Sequence, residues 1–384
     1  MRLVILVNDA LTHDSRLFKE ARHLHRAGYD VHVFGNQPTA GGLETSFVRD
    51  GCAYHRPAGY PSRAFRRRAS WNIQAVRFVL RLRPRVILAH RWNTLMPATV
   101  GSFLTGATIV YDNRELFGGG DFNQRSMLWK QAFWFGERTL ARACRSVIMS
   151  SHGRAEDWAR KYRRPKPLVM YDCTEKRDVP ASDILRRELG LGKDRKVLMY
   201  VGGLAAGRGL MPAMEALAML PPQYVFVAMG KNDGFVRELR DHAAKLGVQD
   251  RFFIHAPVRS EDIPTYVSSA DATLCTFENI SRSYYHSVPQ KFYESLQAGI
   301  PVVASDFPEQ GRLVRRFQVG VCVRPDDVRD IVRGILEVTG GQVAPAQWRQ
   351  RCKIAADAMT WENEVKVLLE AVRQAGDRCA EAGQ

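Results

Sequence analysis

The chain has 384 residues, of which 45% are hydrophobic and 25% are charged, and its formal net charge is +16. This length exceeds one ordinary hydrophobic core, and the composition excludes a disordered or fibrous protein. No apolar run approaches the roughly 18 to 20 residues that a membrane-spanning helix needs. The basic charge favours polyanionic partners: nucleic acid, anionic lipid or phosphorylated substrates.

The seven cysteines are odd in number, scattered and free of CxxC spacing. This usage predicts a reducing compartment, for which the cytoplasm is the natural choice, and it argues against a zinc site. The chain opens on a short apolar segment that runs into Asp9 without a small-residue cleavage site. We therefore expect a first strand here and not a signal peptide.

Strand-like apolar segments alternate with helical patterns along almost the whole chain. The first series is Leu3–Val7, Val31–Phe34, Val86–Ala89, Ile109–Tyr111, Val147–Met149 and Leu168–Met170. The second series is Val197–Val201, Val225–Ala228, Phe252–Ile254, Ala272–Cys275, Val302–Ala304 and Val321–Val323. This alternation predicts parallel sheets covered by helices on both faces. Two series predict an α/β protein with two doubly wound, Rossmann-like domains.

The polar, proline-containing segment Tyr171–Ser182 separates the two series. We expect an N-terminal domain over residues 1–175 and a C-terminal domain over residues 181–358. The last helical stretch, Trp361–Gln374, carries one apolar face. Sequence alone leaves open whether residues 360–384 return to the first domain or cap the second.

Polar residues follow the predicted strands of the first domain. Asp14 precedes a helix predicted over Ser15–Arg26 and is suited to cap it. His90 ends the third strand, and ligands of open parallel sheets bind beyond the carboxyl ends of strands, so we expect His90 to face a cleft. Asp112 and Glu115, after the fourth strand, are candidates for binding hydroxyl groups. The alternative is a structural ion pair with Arg114.

Between Arg63 and Arg85 lie eight arginines and no acidic residue. In helical order, most of the arginines fall on one side and an apolar stripe of Phe65, Ala69, Ile73, Val76 and Leu80 falls on the other. Such a helix suits an anionic membrane surface, and the alternative is an ordinary surface helix whose stripe lies in the core. The aromatic cluster Trp129, Phe133, Trp134 and Phe135 is a second candidate for bilayer contact, with core packing as its more common fate.

The second domain opens on a strand followed by Gly202-Gly203-Leu-Ala-Ala-Gly207-Arg208-Gly209. Glycines allow backbone N–H groups to approach a phosphate closely, and a helix N-terminus adds positive potential. Arg208 can donate two hydrogen bonds to phosphate oxygens. A lone glycine-rich turn is weak evidence, so a second signal is needed.

That signal is the pair Lys291 and Glu294, three residues apart on one face of a short predicted helix that stops at Gly299. A cation for phosphate and a carboxylate for ribose hydroxyls are what nucleotide-sugar binding requires. The alternative is an amphipathic helix with solvated charges.

Together, the loop Gly202–Gly209 and the segment Ser287–Asp306 resemble the donor site of retaining glycosyltransferases of the family-four, group 1 type, which have the GT-B fold. The resemblance implies that Arg208 and Lys291 neutralise the diphosphate of a nucleotide-sugar donor, while Glu294 accepts hydrogen bonds from ribose. It also implies a catalytic His90 at the donor sugar and a last helix that packs back on the first domain. Further donor positions implied are Gly202, Gly203, Val258, His286 and Glu309; acceptor-side positions are Asp14, Arg16, Asp112 and Glu115.

Two positions depart from the fuller family pattern. Gly203 stands where that pattern has its first cation, and His286 stands where it has the first of two glutamates. A sugar contact by His286 and an exposed loop residue are equally open. The resemblance implies retention of anomeric configuration, no cofactor and no obligate metal, and it leaves the donor base and sugar undetermined.

We expect a glycosyltransferase that moves a hexose-type sugar to an acceptor hydroxyl, as in a lipid-linked or cell-surface polysaccharide precursor. Its expected place is the cytoplasm, at the inner face of the membrane, with Arg63–Arg85 against anionic lipid. A GT-B sugar-nucleotide 2-epimerase and a non-catalytic GT-B partner subunit are alternatives. A nucleic-acid-binding protein is suggested by charge alone, and without a recognised reading module we expect no specific nucleic acid.

Overall fold

The computed structural model describes residues 1–12, 14–37, 43–57, 64–116, 126–231 and 234–381, without the side chains of residues 64, 65 and 378–381. The chain forms two compact units. One comprises Met1–Asp172 and Glu364–Gln384, and the other comprises Cys173–Asn363.

The described part of the first unit contains one sheet of eight strands. They are β1 (Arg2–Leu6), β2 (Asp30–Phe34), β3 (Ser46–Arg49), β4 (Cys52–His55), β5 (Val86–His90), β6 (Thr108–Asn113), β7 (Cys144–Met149) and β8 (Leu168–Val169). Their order is β3-β4-β2-β1-β5-β6-β7-β8. All neighbours are parallel except β3 and β4, which form a hairpin.

The described part of the second unit contains six strands, all parallel to their neighbours. They are β9 (Lys196–Val201), β10 (Tyr224–Met229), β11 (Phe252–His255), β12 (Ala272–Cys275), β13 (Val302–Ser305) and β14 (Gly320–Val323). Their order is β11-β10-β9-β12-β13-β14. The order reverses between β9 and β12, and such a switch point opens a crevice at the carboxyl ends of the strands.

Helices connect the strands in both units. They are α1 (Ser15–Arg26), α2 (Ala64–Leu82), α3 (Leu95–Thr105), α4 (Met127–Leu140), α5 (His152–Tyr162), α6 (Ile184–Glu188), α7 (Leu210–Met219), α8 (Val236–Lys245), α9 (Ile263–Val267), α10 (Arg282–Tyr285), α11 (Gln290–Ala298), α12 (Pro308–Phe317), α13 (Val328–Thr339), α14 (Pro345–Ala358) and α15 (Trp361–Glu381). Most of α15 belongs to the first unit, where Arg85 Nε donates to the Gly376 carbonyl at 3.0 Å. Among the described helices, none is both long and apolar enough to cross a bilayer.

The central strands are buried on both faces. In β5 every residue from Val86 to His90 is buried, as is every residue of β10 from Tyr224 to Met229. Continuous apolar strands of this kind occur where helices cover both sides of a parallel sheet. The structure thus confirms two doubly wound, Rossmann-like domains, and all twelve expected strands are present.

The β3–β4 hairpin was not expected. Its strands are only four residues long, and Val48 is exposed, so no buried apolar run marks them. The turn is Asp50-Gly51, and both residues have positive φ, at 50° and 77°. An Asp-Gly pair with this backbone is a common two-residue hairpin turn, and it was the available signal.

Candidate functional site

The glycine-rich loop after β9 is fixed to the segment that follows β12. Glu278 Oε1 accepts from the Gly209 amide at 3.3 Å, and the Glu278 amide donates to the Gly207 carbonyl at 3.1 Å. Gly209 has φ of 79°, and a Cβ there would lie 1.8 Å from the Thr276 carbonyl oxygen. Only glycine can therefore occupy this position, where the backbone reaches the start of α7.

Lys291 lies in the first turn of α11, and its side chain points at aromatic rings. Its residue is only 6% exposed, and Nζ lies 3.2 Å from the centroid of Tyr200 and 5.1 Å from that of Phe277. Nζ has no hydrogen-bond acceptor among the described residues. A buried ammonium without an acceptor is costly, so this group is poised to receive an anion.

Arg208 brings a second cation to the same place. Its guanidinium carbon lies 5.3 Å from the centroid of Phe277 and 5.1 Å from that of Tyr284. Phe277 therefore contacts both cations. Arg208 and Lys291 come from the loops and helices that follow β9 and β12, which are the two strands at the switch point.

The surroundings of Lys291 change the pKa of its ammonium group. Burial and, to a smaller extent, the positive charge of Arg208 lower the pKa of Lys291 from 10.5 to about 7, although Cys275 and Glu294 oppose the change. Burial and Arg208 thus bring the loss of the Lys291 proton close to neutral pH. A bound diphosphate would favour the charged form.

The remaining predicted donor residues all lie in the second unit. Glu294 and Glu309 are buried, and Arg312 Nη2 donates to Glu309 Oε2 at 3.2 Å. Gly202 and Gly203 begin the loop after β9, and the exposed Gly203 leaves open space where the fuller family pattern has a cation. Val258 packs partly buried against the apolar cluster beneath β9 and β10.

The sequence leaves two interpretations of His286, a sugar contact and an exposed loop residue. The exposed loop residue is wrong, because His286 is only 6% exposed. Its ring lies edge-on to Tyr285, with 5.1 Å between the ring centroids. The sugar contact itself stays a prediction.

In the first unit, six ionisable side chains form a buried cluster at the carboxyl ends of β5 and β6. They are Asp14, Arg16, Glu20, His90, Asp112 and Arg114. Arg16 joins two carboxylates: Nε lies 2.7 Å from Glu20 Oε1, and Nη2 lies 2.9 Å from Asp112 Oδ1. Arg16 is 1% exposed, and Glu20 and Asp112 are fully buried.

Arg114 joins the other members of this cluster. It donates two hydrogen bonds to Asp14, at 3.0 and 2.7 Å, and Nη2 lies 3.3 Å from His90 Nδ1. A guanidinium has no acceptor, so Nδ1 accepts and the ring proton sits on Nε2. That nitrogen lies 2.8 Å from Glu20 Oε2. The imidazole is thus held between a guanidinium and a carboxylate.

Within the cluster, the pKa values of the carboxyl groups shift in opposite directions. Burial alone raises the pKa of Glu20, but His90 and Arg16 outweigh it and lower that pKa to about 2. Burial raises the pKa of Asp112 despite Arg16. Burial also acts to raise the pKa of Asp14, but Arg114 outweighs it and holds the pKa of this carboxyl group well below its usual range.

These positions correct several expectations. His90 is fully buried, so its ring is not exposed where β5 ends, and its role at the donor sugar stays a prediction. For Asp112 the structure contains the alternative, an ion pair that includes Arg114 at 3.8 Å. Asp14 caps α1 by accepting from the Leu17 amide at 3.1 Å. Of the predicted acceptor-side residues, Arg16 and Asp112 are buried, whereas Asp14 and Glu115 are partly exposed.

The same cluster is a candidate metal centre by spacing. Ligand atoms of Glu20, His90 and Asp112 lie within 4.8 Å of one another. However, the guanidiniums of Arg16 and Arg114 already contact these side chains. A divalent cation would meet two fixed positive charges, so this donor set does not fit a metal.

Of the two alternatives for the basic helix α2, an apolar stripe that lies in the core is wrong for the described side chains. The buried face of this helix is Trp71, Ala75, Phe78 and Val79, and not the predicted apolar stripe. Within that stripe, Ile73 is 54% and Leu80 is 38% exposed. Arg63 lies outside the described residues. In the aromatic cluster on α4, Phe133 is buried, whereas Phe135 is 74% exposed.

Sequence reasoning missed the aromatic contacts of the two cations. Tyr200 reads as a core residue within an apolar strand, and Phe277 and Tyr284 follow β12 in a segment without a recognised pattern. Glu278, which fixes the glycine loop, was also missed. Glu20 stands one turn after Arg16, and that spacing was the available signal for an ion pair.

Two parallel-sheet domains with a pair of cations at the switch point of the second define a class of proteins suited to hold an anionic ligand there. Known families identify the chain further. Residues 181–357 match the family model for glycosyl transferases group 1, and residues 16–172 match that for the glycosyl transferase 4-like domain. The chain belongs to the group 1 glycosyltransferases, with two Rossmann-like domains of the GT-B fold class.

Curated relatives are distant. The chain is 26% identical over 259 residues to D-inositol 3-phosphate glycosyltransferase of Xylanimonas cellulosilytica, covering 63% of this chain and 60% of that protein. It is 28% identical over 158 residues to the putative colanic acid biosynthesis glycosyl transferase WcaI of Escherichia coli, covering 40% and 38%. The chain thus spans less than two thirds of the length of these relatives.

Solved structures share the fold over nearly the whole chain. Sucrose-phosphate synthase from Thermosynechococcus elongatus aligns with a TM-score of 0.81 at 17% identity, covering 97% of this chain and 99% of that one. Anabaena HepE in complex with UDP aligns with a TM-score of 0.77 at 18% identity, covering 97% and 100%.

Proposed function

We propose that this protein transfers a hexose-type sugar from a nucleotide diphosphate sugar to an acceptor hydroxyl, with retention of anomeric configuration. The observation that carries the proposal is the buried ammonium of Lys291, which lies beside Arg208 and has no hydrogen-bond acceptor in the described part of the chain. Two cations at one switch point suit a diphosphate leaving group, whose negative charge grows as the glycosidic bond breaks.

The proposed donor also fits the surroundings of these cations. The glycine loop before α7 offers backbone amides to phosphate oxygens. Glu294, one turn after Lys291 on α11, is the candidate acceptor of ribose hydroxyls. Relatives support this class of donor, since HepE has been crystallised with UDP and with UDP-glucose. In this chain the base and the sugar are left to experiment.

The acceptor is proposed to be a glycan or glycolipid, such as a lipid-linked precursor of a cell-surface polysaccharide, at the cytoplasmic face of the membrane. The arginines of α2 support that placement through their attraction to anionic lipid. The leaving phosphate would take the acceptor proton, and the two cations would supply the charge compensation, so we propose no obligate metal and no cofactor.

The test is a thermal-shift panel of UDP- and GDP-sugars on the purified chain, since a ligand that binds the folded state raises its melting temperature. We expect one donor series to stabilise the protein, and Lys291→Ala to remove that shift. Lys245→Ala, an exposed lysine of α8, is the matched control and should keep it. No shift with any nucleotide sugar would overturn the proposal. Proton NMR of the product then reports the anomeric configuration.

A further inference from the structure

Helix α3 presents an apolar stripe to solvent. Its exposed side chains are Met96 at 42%, Val100 at 39%, Phe103 at 87% and Leu104 at 54%. Their spacing places them on one side of the helix, opposite the buried Leu95, Ala98 and Gly101. The eleven residues of α3 include no charged side chain. Neither the fold nor the proposed sugar transfer needs such a surface.

The neighbouring helices also expose large apolar side chains. On α2, Ile73 and Leu80 are exposed, and on α4, Leu128 and Phe135 are 79% and 74% exposed. Helices α2 and α3 approach closely at Gly101, where a Cβ would lie 2.8 Å from Val79. We call this outer surface of the three helices the α2–α4 face. Apolar patches of this kind usually mark an interaction site.

The charge of the α2–α4 face has one sign. Among the eight charged residues of the three helices, seven are cations: Arg66, Arg67, Arg68, Arg77, Arg81, Lys130 and Arg138. The eighth, Glu137, is 3% exposed and accepts from Tyr111 at 2.8 Å and from Tyr162 at 2.6 Å. The described side chains of the three helices therefore present positive charge and hydrocarbon, without an exposed carboxylate.

A groove beside α2 adds to the basic side. It encloses about 1000 Å³ and is lined by Arg56, Arg77, Arg81, Phe34 and Phe78, among other residues. None of its described lining residues is acidic. A phosphate would meet guanidiniums there, and an attached hydrocarbon would meet the aromatic wall.

We propose that the α2–α4 face docks on an anionic lipid bilayer, with the α3 stripe in the acyl region and the arginines of α2 on phosphate headgroups. The inference rests on the membrane placement proposed above and names the surface responsible. A second copy of the chain would set seven cations against seven. Nucleic acid would leave Phe103 and Phe135 exposed. A bilayer accommodates both the charge and the hydrocarbon.

The test is cosedimentation of the full chain with vesicles of phosphatidylcholine, with and without phosphatidylglycerol. We expect binding to the anionic vesicles alone. The double variant Phe103→Ser with Leu104→Ser should weaken the partition coefficient by about tenfold or more, because it removes inserted apolar surface. Arg77→Gln with Arg81→Gln should weaken binding mainly at low salt. Ile354→Ser on α14, which is 59% exposed in the second unit, is the matched control and should bind as wild type.

Three outcomes of the vesicle experiment would overturn the inference. They are no binding to anionic vesicles, equal loss in the Ile354 control, and unchanged binding after the Phe103 and Leu104 substitutions. Sedimentation velocity without lipid gives a further check, because a dimer abolished by the double variant would assign the face to self-association. Donor thermal shifts are measured on the same variants. Lost vesicle binding with an intact shift separates this surface from the donor site.

Discussion

The ammonium of Lys291 lies 3.2 Å from the centroid of the Tyr200 ring, and no described hydrogen-bond acceptor contacts it. The ring attracts the ammonium but cannot neutralise it, so the positive charge of Lys291 is only partly compensated. A bound diphosphate would supply the missing negative charge. The predictions for the donor site follow from this incomplete pairing.

Donor binding should weaken as pH rises above neutrality. Burial and Arg208 lower the pKa of Lys291 to about 7, so the donor-free protein loses this charge above pH 7. If the diphosphate binds the charged form, its apparent dissociation constant should rise up to about tenfold per pH unit above 7. Isothermal titration calorimetry in buffers of different ionisation enthalpy should show proton uptake at pH 8. Lys291→Arg, which stays charged, should bind without proton uptake, and uptake that persists in this variant would contradict the assignment.

The same group should make stability depend on pH. Between pH 7 and 10.5 the unfolded chain holds a proton on Lys291 that the folded protein lacks, so the free energy of unfolding should rise with pH. The slope is at most about 1.4 kcal/mol per pH unit from this one residue. Lys291→Met should remove that part of the slope. Urea unfolding of both proteins at pH 7 and 9 measures it, and equal slopes would refute the lowered pKa.

Removing the whole Tyr200 ring should weaken donor binding more than removing the Tyr200 hydroxyl alone. The hydroxyl donates to the Gly203 carbonyl at 2.8 Å, whereas the ring contacts the ammonium. Tyr200→Phe keeps the ring and should retain donor binding within a few fold. Tyr200→Leu loses a cation–π contact worth about 0.5 to 2 kcal/mol and should weaken binding further. Thermal shifts with the donor compare the two, and identical losses would place the effect in the loop.

Breaking the buried ion cluster of the first unit should strongly destabilise that unit. Arg16→Met leaves Glu20 and Asp112 buried without their shared cation, at a cost of about 3 to 5 kcal/mol. Lys166→Met removes an exposed ion pair with Glu156 and should cost at most about 1 kcal/mol. Chemical denaturation monitored by circular dichroism tests the contrast. Equal costs would mean that burial of the cluster does not matter.

Sequence predicted the fold better than the surroundings of each side chain. Hydrophobic strands and the glycine loop follow local rules, so the two sheets and the positions of Arg208 and Lys291 could be derived. The contact of Lys291 with Tyr200 joins residues far apart in the chain, and an aromatic residue within an apolar strand reads as core. His90 was expected to face a cleft because the sequence shows where a strand ends. It does not show which long side chains, here Arg114 and Glu20, close over that end.

The glycine loop should tolerate no side chain at Gly209. A Cβ there would lie 1.8 Å from the Thr276 carbonyl oxygen, and φ of 79° is unfavourable for any L-residue. Gly209→Ala must therefore move the loop that carries Arg208 and should abolish the donor-induced thermal shift. Gly247→Ala is the matched control: its φ is 67°, but a Cβ would meet open space, so it should cost about 1 kcal/mol of stability and keep the shift. A normal shift in Gly209→Ala would show that the loop can move without losing the donor, and Arg208 would then no longer be required at this position.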